Sequence, residues 1–215
     1  MKNDLSEIKR ISHDGFKKPN NITKDDILLI EKILNEKDNN LIAKTFWAIG
    51  QIGINKPELV EKFINQAFIA LNNEFPEIRE NALFAIGRTG RSKIELIQYR
   101  IQEILDMHND PHSKVRLAMI WACENIANTN SLLFEQYIPI FEHMLDDQDE
   151  KYVRGEAPVI FRVIGKYSPK LVERSLPKLK EKLNDSYRVT RIHCAGAIKT
   201  IEKNLPATAA KSAGK

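Results

Sequence analysis

Two groupings in the sequence carry residue types that could do chemistry on their own. His108, Asp110 and His112 put two imidazoles and a carboxylate close together, the donor set of a transition-metal site. They straddle a turn, so no single helix face brings them together, and no further strong ligand lies nearby. His193 and Cys194 have the residue types of a nucleophile and its base. As neighbours on a helix their side chains diverge by about 100°, whereas a catalytic pair must converge. Neither grouping supports catalysis. No Gly-rich phosphate loop, GxSxG elbow, HExxH or dinucleotide fingerprint occurs in the sequence. The expectation is a protein without enzymatic activity, metal or cofactor.

Residues suited to binding are more regularly placed. Arg79, Arg116 and Arg154 recur at nearly constant spacing, and a ladder of guanidinium groups could line up phosphates. Trp47, Phe84 and Trp121 recur at the same interval. They form either a packing feature between repeats or a ridge that grips a partner helix or extended peptide. Arg88, Arg91, Arg162 and Arg191 are candidate basic contacts alongside Lys44, Arg188 and Lys199, and the local cluster Arg88–Lys93, continuing to Arg100, could touch an acidic partner. Glu80, Glu124, Glu156 and Glu202 interleave with them, so the cations do not make a single-sign channel.

The spacing of these residues follows from an internal repeat. Leu41, Ile78, Val115, Val153 and Val189 occupy equivalent positions, 37, 37, 38 and 36 residues apart. Positions 0, 4, 7, 8 and 11 of each unit fall on one helix face. Small residues at position 7 let a neighbouring helix approach. A second amphipathic helix precedes each of these, as in Leu59–Val60–Phe63–Ile64–Ala67–Phe68–Leu71. Polar turns join the pairs, and Pro57, Pro76, Pro111 and Pro169 stand where helices should begin. Ten helices in five pairs, with a period of about 37, predict an all-α, right-handed α-solenoid.

Boundaries follow from the same register. Residues 1–22 read as a polar leader or N-terminal cap, in which Leu5, Ile8 and Ile11 form one short amphipathic turn. The repeats run over about 23–54, 55–91, 92–129, 130–167 and 168–203. Residues 204–215 read as a flexible tail. Pro158, three residues past Gly155 and inside the fourth inner helix, predicts a kink.

The pattern resembles the HEAT repeat family from about Thr23 to Lys203. Prolines at Pro139 and Pro177 sit inside outer helices, and a turn residue precedes a hydrophobic-Arg pair. The pairings are Asn73 with Ile78-Arg79, Asp110 with Val115-Arg116 and Gln148 with Val153-Arg154. Ile42 and Thr190 stand in the arginine position of the first and last units. The resemblance implies that the ladder arginines pair with turn residues and stack repeats. It also implies a scaffold or adaptor that takes a protein or peptide on its inner, usually concave, face. The family includes nucleic-acid-binding members with DNA-glycosylase-like architecture and, more distantly, phycobilin-lyase-like proteins. Those readings lack the basic cleft or any further motif here.

Composition agrees with a binding protein. Lysine and arginine number 33 against 29 aspartates and glutamates, so the net charge of +4 attracts a polyanion only weakly. Cys123 and Cys194 lie far apart inside helical patterns and read as reduced thiols of a cytoplasmic protein. No apolar run approaches the roughly 18 residues of a membrane span. A monomer or weak oligomer is expected.

Overall fold

The computed structural model describes residues 2–206, and all regular structure among them is helical. Residues 207–215 of the expected tail lie outside the described residues. An inner row of helices runs through the molecule: α1 (Lys2–Lys17), α3 (Asn39–Gly53), α6 (Pro76–Ser92), α8 (Ser113–Ala127), α10 (Ala157–Tyr167) and α13 (Arg188–Asn204). Each packs on the next, α1 on α3, α3 on α6, α6 on α8, α8 on α10 and α10 on α13. The chain is an α-solenoid.

Helix α1 belongs to this row rather than forming a single turn. Its buried Ile8 and Ile11 lie 37 residues before Thr45 and Ala48, so it keeps the register of an inner helix. At Gly15 the approach to α3 leaves no room for a side chain, because a Cβ there would stand 2.6 Å from Ile52 Cγ1.

The outer row starts with α2 (Lys24–Leu34), opened by a capping box between Thr23 and Asp26. The later outer helices are broken by 3-10 turns. In the second, α4 (Pro57–Val60) and α5 (Ile64–Ala70) flank a turn at Glu61–Phe63; the third contains α7 (Ile101–Leu105). In the fourth and fifth, Pro139 and Pro177 stand in the first turn of α9 (Ile138–Met144) and α12 (Leu176–Glu181), just after such breaks. There a missing N–H leaves no bond unmade. The fifth outer helix begins with α11 (Pro169–Val172).

The repeat turns share one device. Asn73, Asp110, Asp147 and Asp185 each accept the N–H two residues on, from Phe75, His112, Asp149 and Tyr187, at 2.8–2.9 Å. The fourth turn residue is therefore Asp147, not Gln148. Counted from these turns, the last unit starts one residue later than its sequence pattern suggested. Thr190, Cys194, Ala197, Ile198 and Ile201 are its buried set, while Val189 is only half-buried. The irregular spacing lies in the fourth unit alone.

That unit absorbs its extra residue locally. Residues Glu150–Arg154 form a π-turn in which Arg154 and Gly155 donate to the carbonyls of Asp149 and Glu150, five residues back. The helix then restarts at Ala157 with Pro158 in its first turn. Pro158 thus sits at a helix start rather than bending a continuous helix, and the break precedes it.

Candidate functional site

The ladder arginines are held at both ends. Arg79 donates through Nε and Nη2 to both carboxylate oxygens of Asp110, at 2.7 and 2.9 Å, and through Nη1 to the Asn73 carbonyl at 2.8 Å. Arg116 repeats this with both oxygens of Asp147 and with the Asp110 carbonyl, all at 2.8 Å. Arg154 donates to the Asp147 carbonyl at 2.8 Å, and its Nε stands 3.1 Å from Asp185. Each guanidinium therefore ties its own turn to the next. Arg191, grouped with the surface cations on sequence, lies six residues past its turn like Arg79 and Arg116. Its Nη1 donates to the carbonyls of Asp185 and Ser186, at 2.7 and 2.9 Å.

The residues with metal-ligand or catalytic character are engaged elsewhere, Asp110 and His112 in the first rung and the others with backbone or core. Both Asp110 oxygens serve Arg79, and His112 Nδ1 lies 3.3 Å from Arg79 Nη2. His108 Nδ1 is 2.7 Å from the Leu105 carbonyl. His193 Nδ1 sits 2.8 Å from the Gly155 carbonyl, towards the preceding repeat, while Cys194 is buried in the core. Burial pushes the Cys194 thiol up to about 12 and the Cys123 thiol well above its usual value, so neither is poised as a thiolate.

Across the N-terminal inner row a continuous stack forms. Trp47 and Phe84 lie ring on ring, centroids 3.8 Å apart and 13° from parallel. The Arg88 guanidinium stands 5.0 Å from the Phe84 ring centre and 4.9 Å from that of Phe16, on α1. Its Nη1 donates to Gln51 Oε1 at 2.6 Å. Phe16 and Gln51 escaped the sequence reading, although Gln51 stands one period before Arg88. Glycine makes the stack possible: a Cβ at Gly50 would lie 2.8 Å from Phe84 Cδ1. Trp121 makes no ring contact with Phe84 among the described residues, so the three aromatics are a stacked pair and a separate indole. Trp47 and Trp121 are each 38% exposed, enough to be touched by a partner.

Beside Trp47 opens a groove of about 680 Å³ between α1, α3 and the start of α6. Ile8, Ala43 and Phe75 supply apolar walls, Ser12, Asn40 and Asn81 polar ones, and Lys9, Lys44 and Glu77 also line it. Further along the row, glycine gives way to Glu124 and then Arg162 at the position of Gly50 and Gly87. Glu124 Oε1 is shielded from solvent without a hydrogen-bond partner. Burial first, and the Glu156 charge second, raise this carboxyl to about 8, against a smaller opposing pull from Arg162. Arg91 and Arg162 are exposed.

Comparison with known proteins places this geometry in a class. Residues 64–160 match the model for HEAT repeats. Among solved structures, a designed armadillo repeat protein in complex with peptide (KR)4 superposes with a TM-score of 0.68 at 18% identity, covering 92% of each chain. An engineered protein reaches 0.70 at 14% identity, over 92% of this chain and 89% of that one. Computationally designed armadillo repeat proteins for modular peptide recognition give 0.63 at 16% identity, over 91% and 92%. A search of curated protein sequences found no match.

Proposed function

We propose, from the premise that the chain is a HEAT-type repeat solenoid, that it is a non-enzymatic scaffold whose inner row grips a protein or peptide partner. The observation that carries this reading is the Trp47–Phe84 stack, with Trp47 exposed at the edge of an open groove. A rigid indole costs little entropy to use and offers a large apolar face, which is why such residues dominate binding energy at interfaces. Trp121, on the next inner helix but one, extends the contact surface along the row. Structures of the same fold that hold or are built to recognise peptides add support. The basic peptide of one design has no claim here, because Arg88, Arg91 and Lys44 stand around these rings.

The protein works in the cytoplasm, where its two buried thiols stay reduced, as a monomer or weak oligomer. Among the described residues no helix is long and apolar enough to cross a membrane.

The test is selection of a displayed random dodecapeptide library on the full chain, followed by titration of the selected peptides. Trp47→Ala with Trp121→Ala should weaken binding by about 30-fold or more, the scale of losing an interface hot spot, while helical circular dichroism is unchanged. Selected peptides that bind the folded double variant as tightly as the parent would remove this role for the inner row.

A further inference from the structure

Some cations of this molecule are tied to carboxylates, while others, Arg162 on the inner row among them, have no ion pair among the described residues. Those of the ladder and of the N-terminal cap are paired: Arg79 with Asp110, Arg116 with Asp147, Arg154 with Asp185 and Arg10 with Asp26. Arg100 holds Glu103 at 2.5 Å, and Lys178 and Lys182 share Asp146 at 2.6 Å each. Arg88, Arg91 and Lys44 are different. Among the described residues no carboxylate forms an ion pair with any of them, and all three lie on the inner row: Arg88 over Phe84, Lys44 in the groove with Trp47, and Arg91 two turns past Phe84 on α6.

Arg88 is the most constrained of the three. It is half-buried between two rings, and among the described residues only Gln51 accepts a hydrogen bond from it, leaving most of its five N–H donors unengaged there. Burial is the main cause that lowers its pKa, and the like charge of Arg91 is the second. A desolvated guanidinium next to a second one, with no counter-charge, is an arrangement that an incoming anion relieves. Arg91 is exposed and one turn further along α6, and Lys44 reaches the groove on the other side of Trp47.

We infer that the partner segment gripped by the inner row is an acidic peptide, whose carboxylates meet Arg88, Arg91 and Lys44 while an adjacent apolar side chain packs on Trp47. This inference rests on the peptide-binding reading of the same surface and names the chemistry of its ligand. A nucleic acid fits less well. Glu77 lines the same groove, and Glu156 and Arg162 alternate in sign further along the row, so a phosphate backbone would find no continuous cationic track beyond the three cations. A short peptide needs only the cations at one place.

The probe is the same dodecapeptide library selected on the full chain, with selected peptides titrated by fluorescence anisotropy at low and at physiological salt. Peptides enriched in Asp or Glu beside an apolar residue are expected. Their affinity should fall as salt rises, and Arg91→Glu should weaken them by about tenfold or more. Because Arg91 is exposed, that variant keeps the fold; Arg88→Gln is the second variant and should weaken the same peptides. Enrichment of neutral or basic peptides that still require Trp47 overturns the acidic preference and leaves the peptide scaffold standing. Selected peptides indifferent to Trp47 and Trp121 overturn both. Displacement of a bound acidic peptide by a single-stranded oligothymidylate 12-mer at equal concentration and physiological salt also overturns the inference, in favour of a nucleic acid.

Discussion

The N-terminal and C-terminal halves of the inner row solve one packing problem in opposite ways. In the first half the position nine past each anchor is glycine, and the next helix closes over the gap, with a side chain at Gly50 and with its backbone at Gly87. Gly50 sits under Phe84, and a Cβ at Gly87 would stand 2.5 Å from Ala122 Cα. In the second half the same position holds Glu124 and Arg162, and the facing position six of the next unit shrinks to Val159 and Gly196. A Cβ at Gly196 would find its nearest neighbour, Arg162 Cδ, only at 3.9 Å. Bulk is thus exchanged across the helix boundary. The aromatic half yields a stacked pair of rings beside a guanidinium with no ion pair among the described residues; the other half yields a half-buried carboxyl whose Oε1 is shielded from solvent. One scaffold therefore carries two unlike surfaces, and the proposed docking site lies on the first.

Titration should break this symmetry most strongly. Glu124 is raised to about 8 in the folded chain against an ordinary value of 4.5, so between those pH values the unfolded chain has lost a proton that the fold retains. Stability therefore falls as pH rises through that window, with a limiting slope of about 1.4 kcal/mol per pH unit, and levels off above it. On the order of 4 kcal/mol would separate pH 5 from pH 8. Glu80, whose carboxyl is also raised, chiefly by burial, adds a contribution of the same sign. Urea unfolding of Glu124→Gln at several pH values should show most of that loss gone. A slope equal to the parent's would mean that Glu124 is already ionised in the fold.

The rungs grade along the same axis. Arg79 grips Asp110 with two hydrogen bonds in a buried setting, whereas Arg154, displaced by the π-turn, meets Asp185 with a single contact. Asp110→Ala leaves Arg79 buried without its counter-charge and should cost about 3 kcal/mol in urea unfolding. Asp185→Ala should cost roughly half of that, about 1.5 kcal/mol. Equal losses would show that the π-turn does not loosen the fourth rung.

The smallest test concerns the glycines. Gly87→Ala forces a methyl against the α8 backbone and should destabilise by about 2 kcal/mol. Gly196→Ala meets open space and removes a flexible residue from a helix, so it should stabilise by about 0.5–1 kcal/mol. Thermal unfolding followed by circular dichroism distinguishes the two signs.

The repeat, its period and its core face were legible in the sequence because buried apolar residues must recur on one side of every helix. Ile78, Ala82, Ala85 and Ile86 are all buried, as their spacing requires. The register of the last unit was misread for the same reason. Val189 is apolar and Thr190 is not, yet the turn at Asp185 sets the start, and the threonine goes inside. Helix α1 was underestimated because its polar composition hides two buried isoleucines that gain meaning only against α3.

What the sequence alone determined is the solenoid and the arginine ladder of the units after the first, since both are imposed by local periodicity. What only the tertiary structure decided is which side chains meet between units. Nothing in the order of residues says that Phe16, Arg88, Phe84 and Trp47 form one column, because they come from three helices whose approach is set by Gly15 and Gly50. Side chains far apart in the chain become neighbours through close packing of backbones, and the character of the inner face follows from that contact.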